Sequence, residues 1–263
     1  MLYLNGQPLT VTIFPDKTSQ VWKLPESIFT DCQKNRRPVI ITWRFDSEGE
    51  LIHLAQLKML LQSRGIRASL DLPYLPYGRQ DKEISNTSTF ALRAFAHSIN
   101  ALSFEDVTIC DPHSETALEL IRFSHDYYPK DQLEEVILDT KTTLVCYPDK
   151  GALNKYSKLY NYPYIHGEKV RDQLTGNITS YKVVGDPAGK NVLIVDDICD
   201  GGMTFKLLAK DLLAAGAKGV VLFATHGIFS KGLKTLFDSG IQRVFTQDGE
   251  ASEHEGQIMY RRL

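Results

Sequence analysis

Short apolar runs alternate along this chain with longer stretches of helical periodicity. The amphipathic stretches at 50–62 and 204–215 carry apolar residues three and four positions apart. The apolar runs show no polar alternation, and they occupy residues 38–42, 107–110, 143–146, 192–195 and 219–224. Such runs are typical of parallel strands that are buried on both faces. The alternation of strand and helix therefore predicts an α/β fold, with mainly parallel sheets flanked by helices.

The length of the chain limits the number of such sheets. Its 263 residues correspond to one large or two small domains at about 150 residues per domain. Near 130–142 the sequence becomes charged and polar, and a new apolar run follows. No repeat and no low-complexity tract interrupts the pattern. We therefore predict two α/β lobes, spanning residues 1–142 and 143–263.

Composition and charge exclude several classes of partner. The formal net charge is −2, so no global basic field attracts nucleic acid. The apolar runs are far shorter than the roughly 18 to 20 residues that cross a bilayer, and the first residues do not resemble a signal peptide. No C-x-x-C pair is present among the cysteines, which are Cys32, Cys110, Cys146 and Cys199. We expect a cytoplasmic protein that binds neither nucleic acid nor membrane.

One segment, residues 192–205, carries the sharpest chemical pattern. An apolar run ends there in the adjacent carboxylates Asp196 and Asp197, and Asp200 follows. Ligands of open α/β sheets bind at the carboxyl ends of strands. Two neighbouring carboxylates can accept hydrogen bonds from the adjacent hydroxyl groups of a sugar. Asp200 alone would also be explained as a cap of the following helix.

The same segment continues into a glycine-containing turn. Gly201 and Gly202 let backbone N–H groups approach an anion closely, and Thr204 adds a hydroxyl at the start of the next helix. A phosphate group would suit this turn. The whole segment therefore predicts a site for a sugar phosphate, with the diol on the carboxylates and the phosphate on the turn.

This segment resembles the ribose-phosphate binding motif of type I phosphoribosyltransferases and of ribose-phosphate pyrophosphokinases, also called PRPP synthetases. Further segments, in family order, resemble the pyrophosphokinases alone, and together they span roughly residues 11 to 248. They are Ile13-Phe-Pro-Asp16, Tyr74-Leu-Pro-Tyr-Gly-Arg-Gln-Asp-Lys82, Asp111-Pro-His-Ser114, Tyr147-Pro-Asp-Lys-Gly151 and Ala224-Thr-His-Gly-Ile-Phe-Ser230. The resemblance implies two phosphoribosyltransferase-like lobes.

The resemblance also assigns ligands to particular residues. It implies that ATP is held by residues of the first three of these segments, which are Phe14, Asp16, Arg79, Gln80, Lys82 and His113. Within that set, Phe14 would stack on adenine and Asp16 would accept from its exocyclic amine. Without the resemblance, Phe14 would be interpreted as a core aromatic and the cations of 79–82 as a solvated helix start.

A magnesium site is implied in the same way. His113 and Asp149 each follow an apolar run, and the resemblance implies that they position Mg²⁺. Mg²⁺ favours oxygen ligands, so the assignment of His113 depends mainly on the resemblance. An exposed loop histidine is the alternative.

Two cations are expected at the reaction centre. Lys169 and Arg171 keep the first and third positions of a Lys-Arg-Arg loop in the family, with Val170 between them. Phosphoryl transfer is accelerated mainly by positioning and by cations placed against developing charge. Taken alone, the segment would be interpreted as a charged solvent loop.

These assignments imply transfer of the pyrophosphoryl group of Mg·ATP to the anomeric hydroxyl of ribose 5-phosphate, in a cleft between the lobes. The products would be PRPP and AMP, used in nucleotide biosynthesis or NAD metabolism, and the enzyme would be a homo-oligomer, a dimer or a hexamer. Met203 stands where the family turn has a small residue, which leaves open a larger acceptor such as ADP-ribose. Two further alternatives remain, a phosphoribosyltransferase and an inactive regulatory subunit. Thr18 in place of a glutamate and Val170 in place of a cation suggest the latter, whereas the retained Lys169, Arg171, His113 and Asp149 argue against it.

Overall fold

The computed structural model describes residues 1–24, 26, 29, 38–171, 178–254 and 256–262, with only the backbone described at 169–171 and 178–180. The chain divides into two units, Met1–Tyr128 and Pro129–Leu263. Each unit contains a mainly parallel sheet with helices, which confirms the predicted fold class.

The sheet of the first unit has the strand order β2-β1-β5-β6-β7-β8, and β3 pairs separately with β4. Strands β5 to β8 run parallel, whereas β1 and β2 are antiparallel additions at one edge. The bounds are β1 Leu2–Leu4, β2 Gln7–Pro8, β3 Val11–Ile13, β4 Ser19–Val21, β5 Val39–Trp43, β6 Ala68–Leu72, β7 Val107–Cys110 and β8 Ser124–Tyr127.

The sheet of the second unit has the order β11-β10-β9-β12-β13-β14-β15-β16. Its central strands β10, β9, β12, β13 and β14 are parallel. The bounds are β9 Leu144–Tyr147, β10 Tyr164–Arg171, β11 Ile178–Val184, β12 Asn191–Cys199, β13 Gly219–Gly227, β14 Ile241–Thr246, β15 Gly249–His254 and β16 Gln257–Arg261.

The described helices connect these strands. Their bounds are α1 Glu50–Ser63, α2 Ala91–Ala101, α3 Thr116–Leu120, α4 Lys130–Asp139, α5 Lys150–Tyr156, α6 Met203–Ala214 and α7 Lys234–Phe237. None of them is long and apolar enough to cross a membrane.

Strand β12 shows why the apolar runs of this chain do not alternate with polar residues. Val192 and Ile194 belong to one core cluster together with Leu208 and Leu212 of α6. Leu193, between them on the strand, is also fully buried although its side chain faces the other side of the sheet. Both faces of the strand are therefore covered, as expected for a central parallel strand.

The division between the units falls after Tyr128, whereas the sequence pattern places it at residue 142. The intervening helix α4 is tied to the second unit. Asp139 at its end pairs with Arg243 of β14, and the Asn191 side chain donates to the Lys141 carbonyl at 3.1 Å. Most of the polar stretch belongs to α4, whose polar residues lie on its exposed side, and this explains the difference.

A charged network holds the far edge of the second sheet. Arg243 Nε and Nη2 donate to the two carboxylate oxygens of Glu250 at 2.7 and 2.9 Å, and Arg261 Nη2 donates to the same carboxylate at 2.7 Å. The hydrogen bonds from Arg243, followed by those from Arg261, lower the pKa of Glu250 to about 2. The ionised carboxylate therefore stabilises the folded state.

We expect Glu250→Gln to lower the free energy of unfolding by about 2 kcal/mol at pH 7. In the wild type the unfolded chain binds this proton at a higher pH than the folded chain does. The difference between the two proteins should thus shrink as the pH falls below about 4.3 toward 2. Urea unfolding measured between pH 7 and pH 3 tests this. Glu134→Gln, which breaks an exposed pair with Lys130, is the control, and an equal loss in both variants would refute the role of the network.

Candidate active site

The carboxyl ends of three neighbouring parallel strands in the second unit carry polar side chains. The register aligns Ile194 of β12 with Cys146 of β9, and Asp196 with Ala224 of β13. Asp149 follows β9 by two residues. The structure therefore brings Asp149 and the acid pair, Asp196 and Asp197, to the same edge of one sheet.

A tight turn follows the acid pair. Gly202 has a φ of +73°, and a Cβ at this position would lie 2.8 Å from Cδ2 of Leu236, so the turn requires glycine. Helix α6 starts directly after it at Met203. The first N–H groups of a helix have no partner within the helix and can bind an anion. The predicted strand, glycine turn and helix are thus present, and we call residues 201–204 the phosphate turn.

The carboxylates at this edge influence one another. Burial raises the pKa of Asp196 well above its usual value, and the charges of Asp197 and Asp149 raise it further. Asp197 is almost fully buried, and its N–H donates to Asp196 Oδ1 at 3.0 Å. The edge concentrates negative charge, which hydroxyl donors or a cation would stabilise.

This pKa shift predicts a pH dependence of stability. As the pH rises, the unfolded chain releases the Asp196 proton at about pH 3.9, whereas the folded chain releases it only at a higher pH. Wild-type stability therefore falls between about pH 3.9 and the pKa of the folded chain. The free energy of unfolding of Asp196→Asn relative to wild type should therefore increase with pH above about 4. Urea unfolding in EDTA from pH 4.5 to 8 tests this. Over the upper half of that range the corresponding difference for Glu250→Gln should stay constant, and a constant difference for Asp196→Asn would contradict the shift.

Asp149 also has a local structural role. Its Oδ1 accepts from the N–H of Ala152 at 3.0 Å and so caps α5. Among the described residues, no group of three or more His, Cys, Asp or Glu side chains is arranged to hold a metal ion alone. Mg²⁺ usually binds to one or two carboxylates, water and substrate phosphates, so the oxygen donors at this edge fit it without such a group.

In the first unit, two of the predicted ATP segments lie side by side. Strands β6 and β7 are parallel neighbours, and residues 74–82 and 111–114 follow them. A Cβ on Gly78 would lie 3.8 Å from Cβ of His113. The side chains predicted to hold ATP here are exposed, and they are Arg79, Gln80, Lys82 and His113.

Phe14 and Asp16 lie in the β3–β4 hairpin. This hairpin is fixed on α1, where Gln56 accepts from the N–H of Val21 at 2.8 Å and donates to the Ser19 carbonyl at 2.9 Å. Asp16 Oδ1 accepts from both the N–H and the hydroxyl of Thr18, and these hydrogen bonds lower the pKa of Asp16. Thr18, a departure from the family pattern, therefore occupies the carboxylate that was predicted to contact adenine.

The two predicted catalytic cations lie on one strand. The backbone of β10 places Lys169 opposite Tyr181 and Arg171 opposite Ile178 in the β10–β11 pair, with an irregularity between Val170 and Arg171. Their side chains lie outside the described residues. Their role stays a prediction.

The sequence reasoning did not name His226 as a site residue. It pairs with Ile198 across β12 and β13, is buried, and has its Nδ1 3.3 Å from Nε2 of Gln247. Like Asp149, His226 follows an apolar run at the carboxyl end of a parallel strand, and this position in the sequence could have identified it.

The chain is similar to known proteins in sequence and in fold. The family model described as "Phosphoribosyl synthetase-associated domain" matches residues 164–254. The chain is 30% identical over 237 residues to the ribose-phosphate pyrophosphokinase of Pyrococcus abyssi, covering 87% of this chain and 80% of that protein. It is 26% identical over 232 residues to the one of Saccharolobus solfataricus, covering 84% and 77%.

One solved structure shows the same fold. Phosphoribosylpyrophosphate synthetase from Mycobacterium smegmatis superimposes with a TM-score of 0.67 at 21% identity. The match covers 91% of this chain and 79% of that one. Both units of the described fold therefore have counterparts in that enzyme.

Proposed function

The chain belongs to the ribose-phosphate pyrophosphokinase family and is a diphosphokinase, and from this premise we propose that it transfers the pyrophosphoryl group of ATP to ribose 5-phosphate. The oxygen of the anomeric hydroxyl attacks the β-phosphorus of ATP. The bond from that phosphorus to the α,β-bridging oxygen breaks, AMP leaves, and the hydroxyl proton passes to water. The products are PRPP and AMP.

The observation that supports this proposal most directly is the strand, turn and helix of residues 191–214. The acid pair lies near the end of β12, and the phosphate turn includes the first two residues of α6, Met203 and Thr204. A ribose 5-phosphate carries adjacent hydroxyls at one end and a dianion at the other. Its diol would donate to Asp196 and Asp197, and its phosphate would accept from the turn and Thr204.

Residues of the first unit would bind the donor. Arg79, Gln80 and Lys82 supply two cations and an amide for the ATP phosphates. The family resemblance implies a contact to Mg²⁺ for His113 and for Asp149, and the ion when bound would neutralise phosphate charge. Lys169 and Arg171 would then stabilise the charge that develops during transfer.

One observation favours a second candidate acceptor. Met203, the first residue of α6 and part of the phosphate turn, leaves 59% of its surface exposed. A large apolar side chain at this position offers a contact to a group attached beyond the 5-phosphate. ADP-ribose, whose ribose is also 5-phosphorylated, is such an acceptor.

Met203→Gly tests the choice of acceptor. If Met203 contacts a group beyond the phosphate, the variant should increase kcat/KM for ribose 5-phosphate relative to that for ADP-ribose by a factor of about 5 or more. Met203→Leu keeps the bulk and serves as the control. An unchanged ratio in Met203→Gly would show that other residues choose the acceptor.

The proposed reaction is tested by incubating the protein with Mg·ATP and each acceptor separately, followed by chromatography of the nucleotides. We expect AMP in an amount equal to the product formed. Stoichiometric ADP would indicate an ordinary kinase. Consumption of added PRPP with a base would indicate a phosphoribosyltransferase, and no turnover with either acceptor would support the inactive regulatory subunit.

A further inference from the structure

We propose that Lys231 and Thr235 complete the acceptor's phosphate site, so that the phosphate is bound by a second chain segment as well as by the phosphate turn. Both residues lie in 228–237, the segment that follows β13. The proposal rests on the proposed function, because it assigns the phosphorylated acceptor to this edge. It adds a cation and a hydroxyl that the motif at 196–204 does not contain.

The segment 228–237 is fixed directly against the motif. The N–H groups of Ile228 and Phe229 donate to the Cys199 carbonyl at 2.8 and 3.1 Å. A Cβ on Gly201 would lie 3.7 Å from Cγ of Lys231. The stem of the Lys231 side chain therefore lies beside Gly201, the first residue of the phosphate turn.

Charge explains why a cation is needed there. The motif from 196 to 204 contains Asp196, Asp197 and Asp200 but no lysine or arginine. A lysine ammonium beside the turn would offset the repulsion between a bound phosphate and these carboxylates. Lys231 is exposed, and within the described part of the chain no carboxylate pairs with it.

The neighbouring lysine differs in this respect. Lys234 Nζ lies 2.7 and 2.8 Å from the two oxygens of Asp238, one helical turn away. Its charge is already compensated. Lys231 is therefore the cation of this segment that remains available to an anionic ligand, and Lys234 is a matched control for it.

Thr235 supplies a hydroxyl that, like the Lys231 ammonium, is available to a ligand. Its Oγ1 is buried and makes no hydrogen bond to the described residues, and it lies 3.8 Å from the position of a Cβ on Gly202. Leaving a buried hydroxyl without a partner is unfavourable, so such groups usually serve a ligand or a water. Its position beside the phosphate turn identifies the acceptor phosphate as that ligand.

Glu253 holds the segment in this position. Its Oε2 accepts from the N–H of Leu233 at 2.6 Å, between the two proposed ligands. Gly232, with a φ of +67°, allows this approach, because a Cβ there would lie 2.8 Å from the same oxygen. Glu253 is thus a positioning residue for Lys231 and Thr235.

The test measures binding of ribose 5-phosphate to the full chain by calorimetry without ATP, with ADP-ribose in parallel. We expect Lys231→Ala to weaken binding on the order of 10-fold, the usual range for a lost charged hydrogen bond, while Lys231→Arg retains most of the affinity. Lys234→Ala should bind as wild type does. In turnover, KM for the acceptor should rise in Lys231→Ala while KM for ATP stays unchanged.

Thr235→Val removes the hydroxyl and keeps the shape of the side chain. We expect about 3-fold weaker binding with an unchanged or higher Tm, because the lost hydroxyl has no protein partner. If Lys231→Ala binds the acceptor as tightly as Lys234→Ala does, or if neither phosphorylated acceptor binds the wild type, the proposal is overturned. If these binding differences appear but no AMP is formed, the proposed function fails while this site stands.

Discussion

Lys169→Ala and Arg171→Ala are each expected to lower kcat by a factor on the order of 10³ to 10⁵, while both KM values stay within a few-fold. Cations that face the charge developing on a transferred phosphoryl group act mainly in the transition state. Removing one therefore leaves the binding of ATP and acceptor largely intact. Steady-state kinetics with each substrate varied in turn measures the effect.

Three outcomes separate three roles for these residues. Solvated charges would make both alanine variants nearly silent, and cations that only hold ATP would raise KM for ATP while kcat survives. The double variant should lose less than the product of the single losses, because both cations serve one developing charge. Lys182→Ala is the control on the same hairpin. Lys182 is an exposed residue of β11 and lies opposite Glu168 of β10 in the strand register. Wild-type kcat in both single variants would contradict the mechanism.

The central strands of this fold could be predicted because burial on both faces leaves a plain signal in the sequence. The apolar run at 192–195 lies within β12, and the run at 219–224 lies within β13. Both strands extend beyond the apolar run, since β12 includes the acid pair and β13 includes His226. These polar ends lie at the carboxyl edge of the sheet, where we propose that the acceptor binds.

The edge strands left no such signal. Strand β15 reads Gly-Glu-Ala-Ser-Glu-His, and its last three residues are exposed. It exists because it pairs with β14 and β16 and because Glu250 is held by Arg243 and Arg261. These contacts join charged residues seven and eleven positions apart, and they leave no trace in the pattern of apolar residues. Local periodicity therefore could not predict the strand.

Some residues of the candidate site could likewise be predicted from the sequence, and others could not. Asp149, Asp196 and Asp197 could be selected from the sequence, because each follows or ends an apolar run and parallel strands end at a common edge. Lys231 could not, since it lies in an irregular segment with no periodic pattern and its distance to Gly201 depends on how that segment folds back. The proposed roles of all these residues, the homo-oligomer and the acceptor remain predictions.

Asp197→Asn is expected to raise KM for the acceptor by about 10- to 100-fold, with KM for ATP within a few-fold of wild type. Asp197 is buried at the end of β12, and its carboxyl oxygens would accept hydrogen bonds from the diol of the acceptor. Asparagine keeps the shape of the side chain but replaces one oxygen with an NH₂ group. This group cannot accept a hydrogen bond from a hydroxyl of the diol.

Asp196→Asn should raise KM for the acceptor less at low pH than at high pH. The pKa of Asp196 is raised, and below this pKa most wild-type molecules carry a protonated, neutral carboxyl group. In this pH range the wild type therefore has the same charge at residue 196 as the asparagine variant. As the pH rises, the wild type gains a full carboxylate and the variant does not. KM for the acceptor, measured for both asparagine variants between pH 6 and pH 9, gives this comparison. Asp186→Asn, on an exposed loop of the same unit, is the control. If KM for the acceptor is unchanged in both variants at every pH, the diol does not contact Asp196 and Asp197, and the acceptor binds elsewhere.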